Sequence, residues 1–257
     1  MCLINFHFQD HSTYKLIITA NRDEGYNRPT KEAHFWEDTP YILAGRDLLQ
    51  MGTWLGITKQ GRFAALTNYR DPRLPETGRH SRGAIVRDFL SQSTETGDFL
   101  TRLQKHKSDY AGFNLLVGNS DELVHYNNIL DKITKIAPGT HGLSNHTLNT
   151  PWPKVTKGRE RLSRYFKDSN SVSADKLFEI TADAERAPDH MLPDTGVGIE
   201  LERMLSPLFI TSPEYGTRSS TVLLIDKNNN VTFVERTFEK GRLKQENTFE
   251  FTIQPSI

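Results

Sequence analysis

Short β-rich runs fall in three groups along the chain, and stretches of helical periodicity fill the intervals between groups. Strands do not alternate singly with helices, so the order argues against βαβ units and for antiparallel sheets with helices packed outside them. The first group covers residues 3–8, 14–20, 54–58 and 63–68, and the tetrapeptide Lys59-Gln60-Gly61-Arg62 reads as the turn between the last two. Residues 82–90 then place Ile85, Val86, Phe89 and Leu90 on one helical face. Gly97 is expected to break the helix before a second one at residues 98–103. A second strand group follows at residues 114–117, 123–126, 132–137 and the run into Leu143, expected as consecutive meander strands. Residues 154–166 have helical periodicity with many basic side chains outward, and residues 174–180 begin a helix behind the capping candidate Ser173. After a loop at 188–198 and a short helix at 199–205, strands return at 209–211, 220–226, 231–237 and 248–253. The turn Lys227-Asn228-Asn229-Asn230 joins the middle two as a hairpin. The expectation is an α+β protein, one domain over residues 1–257.

Charge excludes some partners. Lys plus Arg and Asp plus Glu are 32 each, so no net field favours nucleic acid or an anionic membrane surface. The sequence contains no run near the roughly 18 apolar residues of a spanning helix. The start, Met1-Cys2-Leu3-Ile4-Asn5-Phe6-His7, lacks the basic region and apolar core of a signal peptide. A cytoplasmic location is expected. Cys2 is the single cysteine, which leaves no intramolecular disulfide, no CxxC zinc site and no CxxCH haem attachment.

The position of that cysteine matters. Removal of Met1, favoured by a small second residue, would put a thiol and a free α-amine on one residue. With pKa values of about 8.5 and about 7.7–8, the amine can take the thiol proton, and no catalytic histidine is needed. The plain alternative makes Cys2 a small apolar residue at the start of an edge strand. Directly after the apolar run Leu16-Ile17-Ile18 and its strand comes the dense polar cluster Asn21-Arg22-Asp23-Glu24. A hairpin would return this cluster to Cys2, where an arginine lowers a thiol pKa and a carboxylate orients a cation. Read on charge alone, it is equally a solvated turn with a local ion pair.

Several segments together resemble the NRDE family, also called the transport and Golgi organisation protein 2 family. They are Met1-Cys2-Leu3, Asn21-Arg22-Asp23-Glu24, Gly52-Thr53-Trp54-Leu55-Gly56, Leu66-Thr67-Asn68-Tyr69-Arg70, Gly142-Leu143-Ser144-Asn145 and Thr217-Arg218-Ser219-Ser220-Thr221-Val222. That family is similar to N-terminal nucleophile hydrolases of the choloylglycine hydrolase and penicillin V acylase type. The resemblance implies a four-layer αββα sandwich and C–N bond cleavage, with no cofactor required. It also implies roles: Cys2 as nucleophile, Arg22 and Asp23 flanking it, Asn145 as oxyanion-hole donor with Asn68 as a second candidate, and Arg218 as a late supporting arginine. Asn145 read by itself is equally a turn residue. Trp54, Gly52 and Gly56 read as strand-end and core residues.

The competing expectation is a carrier. The resembled family is linked to secretion, to intracellular haem trafficking and to acyl-CoA or lipid metabolism, so the small-molecule ligand is an amide, an acyl-CoA or haem carried as cargo. Nine histidines, His7 among them, and Cys2 are candidate axial contacts for haem. Arg70, Arg73, Arg79 and Arg82, around Pro72 and Pro75, would meet phosphates, or else form a solvated loop.

Overall fold

The structure, a computed structural model, describes residues 2–74, 78–168 and 171–254. Met1 and Pro75, which entered the expectations above, lie outside them. The chain divides into two compact units. One comprises the chain up to Asn27 together with Ala137–Phe251, and the other comprises Arg28–Ile136 with the chain from Thr252 onward.

The first unit is built on a six-stranded sheet in the order β10-β1-β2-β11-β12-β13, formed by β1 (Cys2–Phe8), β2 (Tyr14–Gly25), β10 (Gly139–Leu143), β11 (Tyr215–Asp226), β12 (Asn230–Glu239) and β13 (Arg242–Thr252). Successive strand residues face opposite sides. One side of β1, β2 and β11 meets the helices α3 (Pro153–Asp168) and α4 (Ala174–Thr181). Ile17, Val222 and Leu224 from the sheet are buried there with Leu162, Leu177 and Phe178 from the helices. Leu3 packs near the N-terminus of α3 with Trp152, Val155 and Leu208. A further helix, α5 (Ile199–Leu205), belongs to the same unit.

The second unit is a seven-stranded antiparallel sheet in sequence order: β3 (Thr30–Phe35), β4 (Ile42–Asp47), β5 (Leu55–Thr58), β6 (Phe63–Asn68), β7 (Phe113–Gly118), β8 (Leu123–Asn127) and β9 (Lys132–Lys135). The helices α1 (Arg82–Ser91) and α2 (Thr96–Lys105) cover it. Ile85, Val86, Phe89, Phe99 and Leu103 from these helices share a core with Ile42, Ala64, Leu115 and Tyr126. Trp54 and Gly56, read from the sequence as strand-end and core residues, do serve packing here. A Cβ on Gly45 would lie 2.3 Å from the Trp54 ring, and one on Gly56 would lie 2.8 Å from Ala44 and Leu90.

Antiparallel sheets with helices grouped apart from them match the expected class, and several local expectations are corrected. β10 does not continue the meander; it crosses to pair with β1, with Leu143 opposite Ile4. Gly97 lies inside α2, where a Cβ would meet nothing, so its cost is only helix propensity, about 1 kcal/mol. Residues 209–211 form no strand; they meet β11 through the isolated bridge Thr211–Gly216 and through Ile210, whose carbonyl accepts from Thr217 N and whose N–H donates to Thr217 Oγ1. β3 and β4 carry too many charged and small residues to show as apolar runs. Most important, Asn21-Arg22-Asp23-Glu24 is no turn: it lies within β2, with Asn21, Arg22 and Asp23 buried.

Candidate functional site around Cys2

Strand pairing builds this site. Cys2 is the first residue of β1 and stands directly opposite Arg22 of β2, and Arg22 in turn stands opposite Ser219 of β11. The hairpin thus returns the polar cluster to the thiol, as the sequence suggested. It does so through the unbroken β1–β2 ladder, while β11 holds the backbone on the other side of β2. A register shift between Thr217 and Ser219 interrupts the β2–β11 ladder at this point. Bulges of this type re-aim side chains beside functional sites.

The three polar residues after Ala20 have separate tasks. Asn21 is 1% exposed and wholly committed to structure: its amide donates to the carbonyls of Thr181 (2.9 Å) and Leu208 (2.8 Å), and its Oδ1 accepts from Ser220 Oγ (2.6 Å). Arg22 is buried, and its guanidinium lies 3.9 Å from the half-buried Glu24. Asp23, 1% exposed, accepts a 2.8 Å hydrogen bond from Thr217 Oγ1, and its carbonyl accepts one from the Tyr215 hydroxyl at 3.0 Å. Burial pushes the Asp23 carboxyl up, while Lys154, the Thr217 hydrogen bond and Arg22 favour its charged form.

Asn145 reaches the same place from β10. Because β10 pairs with β1, the residues just past Leu143 run alongside Cys2. Ser144 Oγ lies 3.0 Å from the Cys2 carbonyl and 3.1 Å from Asn145 Oδ1, so its single proton bridges the two residues. Lys154 Nζ lies 3.4 Å from the same Oδ1. With donors converging on the oxygen, the side-chain amide of Asn145 is fixed in orientation, its NH₂ end turned away from them. Asn145 is fully buried and Lys154 is 2% exposed.

Cys2 itself is half-buried. Burial pushes its thiol up; the negative charges of Asp23 and Glu24 add to this and the Arg22 guanidinium acts against it. Tyr215 shares these surroundings. Burial, followed by the charges of Asp23 and of Cys2, drives its phenol far above the ordinary range, so it remains a neutral donor.

Of the residues singled out in the sequence, Cys2, Arg22, Asp23 and Asn145 therefore come together in the first unit. Arg218 belongs to the same unit, and its Nη1 donates to the carbonyls of Gly25 (2.8 Å) and Tyr26 (3.2 Å), fastening the end of β2. Asn68 lies in the second unit, half-buried at the end of β6 and opposite Phe113. Three participants have no role assigned by the sequence: Ser144, which lies in a family-resembling segment, Tyr215 and Lys154. Residues 154–166 read as a helix with many basic side chains outward, yet Lys154, Gly158 and Leu162 form one column at i, i+4, i+8, and all three are buried. That column was the available signal. The loop arginines have local uses: Arg73 pairs with Asp71, Arg79 with Asp109, and Arg82 donates to the Gly112 carbonyl.

Comparison with solved structures defines the class. Two mutant forms of the conjugated bile acid hydrolase from Clostridium perfringens align with TM-scores of 0.55 and 0.57 at 9% identity, covering 99% of this chain and 98% of theirs. An N-acylethanolamine-hydrolyzing acid amidase ortholog from Caenorhabditis elegans aligns at 0.51 over 86% of this chain and 92% of its own, also at 9% identity. The chain is thus an α+β protein with the N-terminal nucleophile hydrolase fold. The family model described as Transport and Golgi organisation 2 matches residues 1–240. The human Transport and Golgi organization protein 2 homolog is 36% identical and the mouse one 34%, each over 99% of this chain and 100% of the relative. The Drosophila melanogaster protein is 27% identical over 92% of both chains. This chain belongs to the Transport and Golgi organisation 2 family. Among the described residues, no helix is long and apolar enough to cross a membrane.

Proposed function

We propose that the Cys2 site is a cysteine hydrolase site of the N-terminal nucleophile type, acting on a linear amide or thioester. Its main support is the bridge that Ser144 makes between the Cys2 backbone and the Asn145 side chain. That bridge holds a nucleophile and an amide donor in fixed relation, which acyl transfer requires. The fold is shared with enzymes whose names specify cleavage of conjugated bile acids and of N-acylethanolamines. These names make an acyl group the natural substrate class.

The chemistry requires removal of Met1. The freed α-amine of Cys2 takes the thiol proton, and sulfur attacks the acyl carbon. The carbonyl oxygen gains the electron pair and is stabilised by the Asn145 NH₂. Collapse of the adduct expels the amine or thiol, which takes the proton, and leaves a thioester on Cys2; water attacks that carbon, frees the acid and restores the thiol. Arg22 favours the thiolate electrostatically. Tyr215 and Thr217 hold Asp23, and the charges of Lys154 and Arg22 favour its ionised form.

The test is release of free amine from an N-acyl amide, or of free thiol from an acyl-CoA, by wild type and Cys2→Ser. Turnover lost in the variant supports the hydrolase. Tight binding of acyl-CoA or haem with no release, retained in Cys2→Ser, would establish a carrier of that cargo instead.

A further inference from the structure

On the helix-facing side of β1, away from Cys2, lies a depression of about 850 Å³, between the β1–β2 turn and α3. Cys2 and His7 have opposite parity along β1, so their side chains leave opposite faces of the sheet. The depression is lined by His7 and His11 from the hairpin and by Arg159, Arg164, Phe166 and Lys167 from the helix. Asp10 and Glu160 are the carboxylates at its wall. Among the described residues, neither they nor the three cations form an ion pair with one another.

His7 carries the inference. It is only 7% exposed, and Thr140 Oγ1 lies 2.8 Å from its Nδ1, which fixes the ring. Its Nε2 is buried without a hydrogen-bond partner, and so is Nε of Arg159 on the same wall. Leaving such buried groups unsatisfied is unfavourable, so both positions suit a ligand that accepts hydrogen bonds. Phe166 stacks at a tilt on His7, with centroids 4.7 Å apart, and meets the His11 ring edge-on at 5.4 Å, giving the polar wall an aromatic border.

We propose that this depression binds a small phosphate-bearing molecule, its phosphate accepting from His7 Nε2 and the guanidinium groups of Arg159 and Arg164, with Lys167 at the mouth. A phosphate fits better than a single carboxylate. Its oxygens can meet several diverging donors at once, and three cations against two carboxylates leave the wall net positive. The volume leaves room for an organic portion beside Phe166.

The test is calorimetric titration of the full chain with inorganic pyrophosphate at physiological ionic strength. Saturable binding at one site per chain is expected. Arg164→Ala with Lys167→Ala, both exposed and so harmless to folding, should weaken it about tenfold or more. His7→Gln should weaken it similarly, with a melting curve to confirm the fold, and Cys2→Ser should leave it unchanged. No saturable binding, equal competition by acetate, indifference to the Arg164/Lys167 pair, or loss in Cys2→Ser would each overturn the proposal. The hydrolase reading fails or stands separately, on acyl release.

Discussion

Asn21 opens the polar cluster on which the family resemblance rests, yet every contact of its side chain is structural, which makes Asn21→Ala an informative substitution. Its amide ties β2 to the last residue of α4 and to the Leu208 carbonyl, while its oxygen receives Ser220 from β11. Alanine would leave two buried carbonyls and one buried hydroxyl without this partner. At about 1–3 kcal/mol for each unsatisfied group, and allowing for rotation of Ser220, the loss is about 3–5 kcal/mol. That is a large part of the 5–15 kcal/mol typical of a folded domain. At about 2–4 °C per kcal/mol for a chain of this size, the melting temperature should fall by roughly 10 °C. Cys2→Ser, at a half-buried strand end, should change stability by less than about 1 kcal/mol. Thermal unfolding followed by circular dichroism reads both. If Asn21→Ala melts within about a degree of wild type while losing all reactivity at Cys2, then Asn21 takes part in the chemistry and the structural assignment is wrong.

Other perturbations separate the site from its scaffold. Lys154→Met removes a donor from Asn145 Oδ1 and should slow acylation of Cys2 by about tenfold or more, read by quenched-flow mass spectrometry; an unchanged rate would exclude a positioning role for Lys154. His125, 4% exposed on β8 beside Asn114, has its imidazole pushed down to about 4 by burial, against about 6.5 unfolded. The neutral ring is favoured in the fold, so its stability contribution is complete above about pH 6.5. It is lost as pH falls toward 4, by up to about 3 kcal/mol. His125→Gln should flatten this part of the urea-midpoint profile. Gly158→Ala would place a Cβ 2.5 Å from the buried Asn5 side chain and should cost about 1–3 kcal/mol in the same urea assay.

Much of the fold was legible because strand and helix periodicities are local. The helix face of Ile85, Val86, Phe89 and Leu90 is buried as expected, and the hairpin at residues 227–230 joins β11 to β12. What escaped was non-local. β10 ends a run that looks like a meander, and only its pairing with β1 carries Ser144 and Asn145 to Cys2. Asn21, Arg22 and Asp23 look like a solvated turn because their polarity argues for exposure; burial became affordable through Thr181, Leu208, Thr217 and Ser220, which lie 160 or more positions away. For the same reason Lys154 was legible only as a helix position, since its partner Asn145 lies across a turn whose path the sequence does not specify.

The most direct test of the Cys2 assignment is the intact mass of the purified protein before and after incubation with an acyl-CoA or an activated acyl amide. The expected result is a mass lacking Met1 that gains one acyl group, with no gain in Cys2→Ser. A protein that retains Met1 and takes up no acyl group under conditions where it binds the acyl donor would contradict the assignment.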